Sequence, residues 1–266
     1  MSLTRLAVIG FAFLFSSSNK LSPQSPSPPQ PVPQASTIVQ SMAGATGWNA
    51  ASQPKDVQAI GTITVEDPVS PETLPVTLSA KSCRLFRNDV QFSDGTHSAI
   101  VNQDSAAAIA PGAQQLLPPF TALSANSFEL PFLCLPSALA AGSLNLVGIE
   151  SVAGQSAYRI DVNPVVSSSD ALAIPRQIAA QFTLWVSTSS GMPLQLSSKL
   201  VSPYNSTASV SVLRVFSDFR VVNGIAVPFQ QQQFIQGQLR STLRLSSVTF
   251  NVGVSDSAFT LPAAQQ

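Results

Sequence analysis

Residues 181–201 read QFTLWVSTSSGMPLQLSSKLV, and residues 238–250 read QLRSTLRLSSVTF. In the first stretch Phe182, Leu184 and Val186 alternate with Gln181, Thr183 and Trp185, and Leu194, Leu196 and Leu200 alternate with Gln195, Ser197 and Lys199. In the second, Leu239, Leu243 and Leu245 share one parity while Arg240, Thr242 and Arg244 share the other. A period of two puts one face of each strand toward an apolar interior and the other toward water. Strands of this kind joined by short turns build a curved antiparallel sheet whose concavity can shelter apolar matter.

Working outward, further strands are expected over 206–220 and 226–236, with turns at Ser190-Gly191, Asn223-Gly224 and Gly237 that tolerate positive φ. Asn223-Gly224 is the strongest hairpin signal. Gln230 to Gln233, between Phe229 and Phe234, read as a polar-faced strand segment. Toward the N-terminus, Ser36 is placed to cap a short helix ending at Gly47, with Ile38, Val39 and Met42 on one stripe. Val57–Val65 reads as a strand with a close approach at Gly61, Thr73–Arg87 as one long strand, and Asp94-Gly95 as a turn into 97–103. Residues 104–142 break the period with Ala, Leu and five prolines, so helical pieces over 121–126 and 137–141 are expected there, packed on the concave face. Strands resume over 144–149 and 157–162, followed by a second irregular insert over 163–174.

The chain has 266 residues, carries 13 basic and 13 acidic side chains, and is 10% charged, against about 25% in average domains. A neutral chain lacks the basic excess that phosphate binding needs, which argues against nucleic acid as a partner. Residues 1–18, with Arg5 before an apolar run from Leu6 to Phe15 and serines 16–18, read as an export signal. That run is too short for a bilayer that takes about 20 residues, and no later segment suits a transmembrane span. Residues 19–35 are a Pro/Ser/Gln tether that favours extended, solvated conformations, leaving 36–266 as the folded domain. An exported, periplasmic or secreted chain can form disulfides, and Cys83 and Cys134 are the two cysteines. Pairing between them and a pair of buried thiols both stay open at this point.

Several motifs resemble the LolA/LppX-type lipoprotein-carrier superfamily, in its periplasmic, lipoprotein-sorting-like branch. Leu184-Trp185-Val186 followed by Gly191-Met192-Pro193-Leu194 is similar to its strand–turn–strand, and Phe216-Ser217-Asp218-Phe219-Arg220 with Asn223-Gly224-Ile225 and Pro228 to the next hairpin. Asn251, Asp256, Phe259 and Pro262 resemble its closing pattern. These residues cover about 180–262 and sit at turns and strand ends, so they speak to architecture. The resemblance implies a mainly β chain with short helices (α+β), its strongly curved antiparallel sheet forming an incomplete barrel closed by helices. It also implies carriage of hydrophobic ligands, and a buried basic residue holding a lid, here matched to Arg84. Ser187 stands where the family often has an acidic residue, and the middle segment is longer and richer in proline.

Enzymatic signals are thin. His97 is the only histidine, no Gly-x-Ser-x-Gly elbow accompanies it, and Ser98 beside it faces the other way on a strand. Glu66, Asp67, Glu72, Glu129 and Glu150 read as solvated turns, no metal-ligand spacing is present, and no cofactor is implied. The expectation is a non-catalytic binding or carrier protein for a lipid or the acyl chain of a lipoprotein. Phe182, Leu184, Leu194, Leu196, Leu213, Val215, Leu243 and Leu245 would line its apolar concave face, under a lid made by the middle segment. The alternative is a structural envelope protein whose inserts, through Leu130, Phe132, Leu133 and Leu139, fill the same concavity.

Overall fold

A computed structural model describes residues 33–49, 53–67, 69–118, 120–124, 129–166 and 172–263. The export signal and residues 19–32 of the tether lie outside the described residues. Helix α1 (Ala35–Thr46) begins one residue inside the proline-rich stretch; Gln34, not Ser36, is its N-cap, and no side chain caps it. Gly47 ends it in the left-handed conformation, φ 69°.

Thirteen strands form one antiparallel sheet. β1 (Val57–Val65), β2 (Glu72–Ser82), β3 (Leu85–Phe92), β4 (Gly95–Asn102), β5 (Ser105–Ala110) and β6 (Ala113–Leu116) run outward as a meander. After α2 (Thr121–Ser124) and α3 (Pro131–Ala141), a second meander starts at the opposite edge with β7 (Ser143–Val152) and β8 (Gln155–Asn163). It continues through α4 (Ala173–Ala180), β9 (Phe182–Ser187), β10 (Pro193–Ser202), β11 (Asn205–Val222), β12 (Ile225–Ile235) and β13 (Gln238–Phe250). Pairing of β13 with β1 joins the meanders, and β6 and β7 are the two free edges. The sheet is therefore an open barrel.

Three expectations about the first half are corrected. The stretch 73–87 is not one strand, because it turns at Cys83-Arg84 and folds back as β2 and β3. Residues 105–116 are strands and not helical pieces; alanine has no strong opposition to a strand when its neighbours supply ladder hydrogen bonds, as β4 does here. The helix predicted over 137–141 extends back to Pro131, with Pro131 in its first turn, where a missing N–H costs nothing. In the second half, the insert over 163–174 gives way to α4 before the strand at Phe182.

The turn residues act as the sequence anticipates. Asn223 (φ 47°) and Gly224 (φ 81°) turn β11 into β12. A Cβ on Gly47 would lie 2.1 Å from the Gly224 carbonyl oxygen, so the C-terminus of α1 sits directly on that turn. Trp48, buried beside it, donates from Nε1 to the Ala226 carbonyl at 2.7 Å. The turn at Gly191 meets Ala45 of the same helix. Gly61 is the predicted close approach: a Cβ there would fall 2.1 Å from the Arg244 carbonyl oxygen, at a bulge between β1 and β13. The C-terminal segment closes the outer side. Phe259 is buried, its carbonyl accepts from Asn102 Nδ2, and Asp56 accepts from the backbone of Val252 and Gly253.

Candidate functional site

The ladder register decides which side chains share the concave face, because directly opposed residues point the same way. From Leu184 the face runs to Leu196 and Ile160, and from Leu243 to Gln231 on one side and Ile63 on the other, with Leu245 opposite Gly61. Across β2 to β6 it carries Val76 with Val90, Leu78 with Asn88, Ala80 with Phe86, then Ala99, Val101, Ala106 and Ala108.

Of the predicted lining residues, Phe182, Leu184, Leu196, Leu243 and Leu245 are on this face and buried. They belong to one continuous apolar cluster with Leu130, Phe132, Leu133, Leu135 and Leu139 of α3 and its entrance, and Phe132 packs on Phe250 with ring centres 5.4 Å apart. Helix α3 is apolar all round, which suits a helix enclosed by a sheet. Leu213 and Val215 are corrected: they lie on the opposite face and are half-buried. Both parities of β11 are apolar in sequence, and its register opposite Leu196 places Val212, Arg214 and Phe216 inside instead. Leu194 is the extra residue of a bulge; Pro193 takes the position opposite Val186, and Leu194 is half-buried.

A disulfide joins Cys83, in the β2–β3 turn, to Cys134 of α3, with Cα atoms 5.1 Å apart. It ties the internal helix to the sheet. Beside it, Asp104 in the β4–β5 turn is bonded to Arg84 and, at 3.1 Å, to Arg176 of α4. The Arg176 hydrogen bond, reinforced by Arg84 and opposed by partial burial, holds the Asp104 carboxyl below its ordinary range. Arg84 is thus an exposed surface residue, and its assignment as the buried basic group is corrected.

Arg214 is instead a basic residue that is buried, 5% exposed on the concave face. Its guanidinium lies 3.5 Å from Glu129 Oε1 and 3.4 Å from Ser198 Oγ, while Gln231 Nε2 donates to the Glu129 carbonyl. The sequence signal was present as the alternation Val212, Arg214, Phe216, but a charged residue between apolar ones is ordinarily assigned to water.

Among the cavities lined by described residues, two open on the concave face around Asn88. The larger, about 670 Å³, lies over β3 to β6 between Val90, Ala99, Ala108, Ala113 and Gln115, with Phe92 and His97 at one end. The smaller, about 170 Å³, lies between Leu78, Leu243, Gln233, Glu129 and Arg214. Asn88 lines both. Its side-chain oxygen is occluded and, among the described residues, has no hydrogen-bond partner.

His97 pairs with Asp94 at 2.9 Å and stacks near Phe92. Ser98 points to the outer face, where it is bonded to Asp89 and Arg87. Among the described residues, no group of three or more His, Cys, Asp and Glu side chains is placed to hold a metal ion. On the outer face, Trp185 donates to Glu150 at 2.8 Å, and this bond with that from Arg159 lowers the Glu150 carboxyl from its ordinary value.

A wide antiparallel sheet, open along one side, holds an apolar helix in its concavity. The fold is the LolA-type open barrel. It is similar to a LolA superfamily protein from Nitrosomonas europaea at TM-score 0.57 and 14% identity, covering 86% of this chain and 98% of that one. A putative outer membrane lipoprotein-sorting protein domain from Vibrio parahaemolyticus matches at TM-score 0.54 and 13% identity, over 84% and 94% of the two chains. A DUF1329 family protein from Desulfovibrio piger matches at TM-score 0.56 and 12% identity, over 86% and 98%. No protein-family model and no curated protein sequence matches the chain. Among the described residues no helix is long and apolar enough to cross a membrane.

Proposed function

We propose that this is an exported, non-catalytic carrier that binds a lipid or the acyl chain of a lipoprotein in the trough over β3–β6. The observation that carries this reading is the unfilled cavity of about 670 Å³ on the concave face, within the range of about 300–1,000 Å³ usual for small-molecule sites. Its walls combine Val90, Ile109 and four alanines with the polar Asn88, Gln114 and Gln115, and burial of about ten methylenes there would contribute roughly 8 kcal/mol before ordering costs are subtracted. The lipoprotein-sorting name of the Vibrio relative points the same way. The open side of the trough also gives a long chain a lateral route in and out.

Purified protein is expected to show co-purified lipid by native mass spectrometry and saturable binding of a fluorescent acyl probe. Ala108→Trp, which fills the trough, should lower probe affinity at least about tenfold, the equivalent of about 1.4 kcal/mol, with an unchanged melting temperature. A native protein with no saturable acyl binding would instead support the second reading, a structural envelope protein. The filling of the other half of the concavity by α3, where Leu135, Leu184 and Leu196 are all 0% exposed, favours that reading.

A further inference from the structure

We infer that the trough selects acyl compounds whose head is uncharged and carries a hydroxyl or amide group close to the chain, and that Asn88 reads that group. The inference rests on the carrier function proposed above and adds a chemical class to it. Asn88 stands on β3 between Phe86 and Val90, opposite Leu78 on one side and Ala99 on the other. These four ladder neighbours are apolar and offer its carboxamide no partner. Its Oδ1 is buried without a partner among the described residues. An occluded acceptor in such surroundings is costly unless a donor reaches it, and native interiors leave few such atoms unmet.

The location makes this atom informative. Asn88 lies where the alanine-lined trough meets the smaller cavity walled by Gln231, Gln232, Gln233 and Ser241. An acyl chain lying along Ala99 and Ala108 therefore brings its polar end to Asn88, with amides and a hydroxyl around the head. A carboxamide both accepts and donates, which matches a hydroxyl or an amide, each of which does the same. The charges at this junction already offset each other: Arg214 faces Glu129 at 3.5 Å. A fatty carboxylate would add a second anion beside Glu129 and would put no donor on Asn88 Oδ1. A monoacylglycerol or an N-acyl amide meets both conditions.

The test uses the full exported chain and displacement of a fluorescent alkyl probe by monopalmitoylglycerol, palmitate and chlorohexadecane, the last a chain without a donor. The wild type should prefer monopalmitoylglycerol to both others. Asn88→Leu, which keeps the shape and removes the polar atoms, should weaken monopalmitoylglycerol about tenfold, whereas chlorohexadecane should bind it no more weakly than it binds wild type. The same variant should melt no lower than wild type, since an unpaired buried acceptor has been removed, whereas a merely structural Asn88 would make it melt lower. Asn88→Ala should reproduce the loss if the leucine variant folds poorly. Unchanged monopalmitoylglycerol affinity in both variants, or a wild-type preference for palmitate, would overturn the inference and leave the carrier reading intact. Failure of all three compounds to displace the probe from wild type would remove both.

Discussion

The two halves of the concave face have the same backbone and opposite contents. Over β8 to β10 the inner positions are Ile160, Val162, Phe182, Leu184 and Leu196, every one buried in the cluster that includes α3. Over β4 to β6 Val101 and Ala106 still reach that cluster, but the remaining inner positions include Ala99, Ala108, Ala110 and Ala113, and a trough is left there. One half is a core and the other an open trough. Side-chain volume makes the difference: the large inner residues of β8 to β10 meet the helix, whereas Ala99 and Ala113 stay exposed.

That contrast can be broken most forcefully at its staple. Opening the Cys83–Cys134 bond, by reduction or as the Cys83→Ser/Cys134→Ser pair, frees a loop with a sequence separation of 51. The chain-entropy estimate for such a loop is a loss of about 4 kcal/mol. Denaturant unfolding with and without reductant measures it, and a loss near zero would mean that α3 is held by packing alone.

Next in size, Leu196→Ala in the filled half, at 0% exposure, should cost about 3 kcal/mol, in the range for buried leucine truncations. A cost below about 1 kcal/mol, read from the same unfolding curves, would show that the filled half is as loosely packed as the trough.

The smallest effect concerns the Arg84–Asp104–Arg176 contact that connects α4 to the β4–β5 turn. The Asp104 carboxyl titrates lower in the folded protein than in the unfolded chain. Its contribution is therefore present at neutral pH, fully so above the unfolded value, and is lost as pH falls through the folded one. Asp104 is 44% exposed, so solvent screening holds the contribution to about 1 kcal/mol or less. Asp104→Asn should remove that part of the acid dependence of stability, which a pH series of melting temperatures would register.

Much of the second meander was legible in sequence, because alternation there is one-sided: Leu184 and Leu196 are in, and the exposed Arg240 and Arg244 are out. β11 was not, since Val212, Leu213, Val215 and Phe216 make both of its faces apolar. Only pairing with Leu196 decides between them, and it turns Arg214 inward. β5 and β6 were hidden for a different reason. Alanine repeats have weak strand character, and their ladder partners on β4 are what hold them extended. The trough went unseen with them, because an open site is made by side chains that are too small to announce it. Asn88 looked like one polar residue among several in the run 87–89, and its isolation appears only once Leu78 and Ala99 are set beside it.

By itself, then, the sequence determined the class of fold, the hairpins at Ser190-Gly191 and Asn223-Gly224, the close approach at Gly61 and a long apolar middle segment able to enter the concavity. These follow from local chemistry: a period of two, positive φ at glycine and asparagine, and proline at a helix start. The tertiary structure alone decided which half of the concavity that segment fills, which half stays open, and which polar groups are left facing the gap. Those depend on register and on the distance between elements remote in the chain, quantities that a residue's immediate neighbours do not carry.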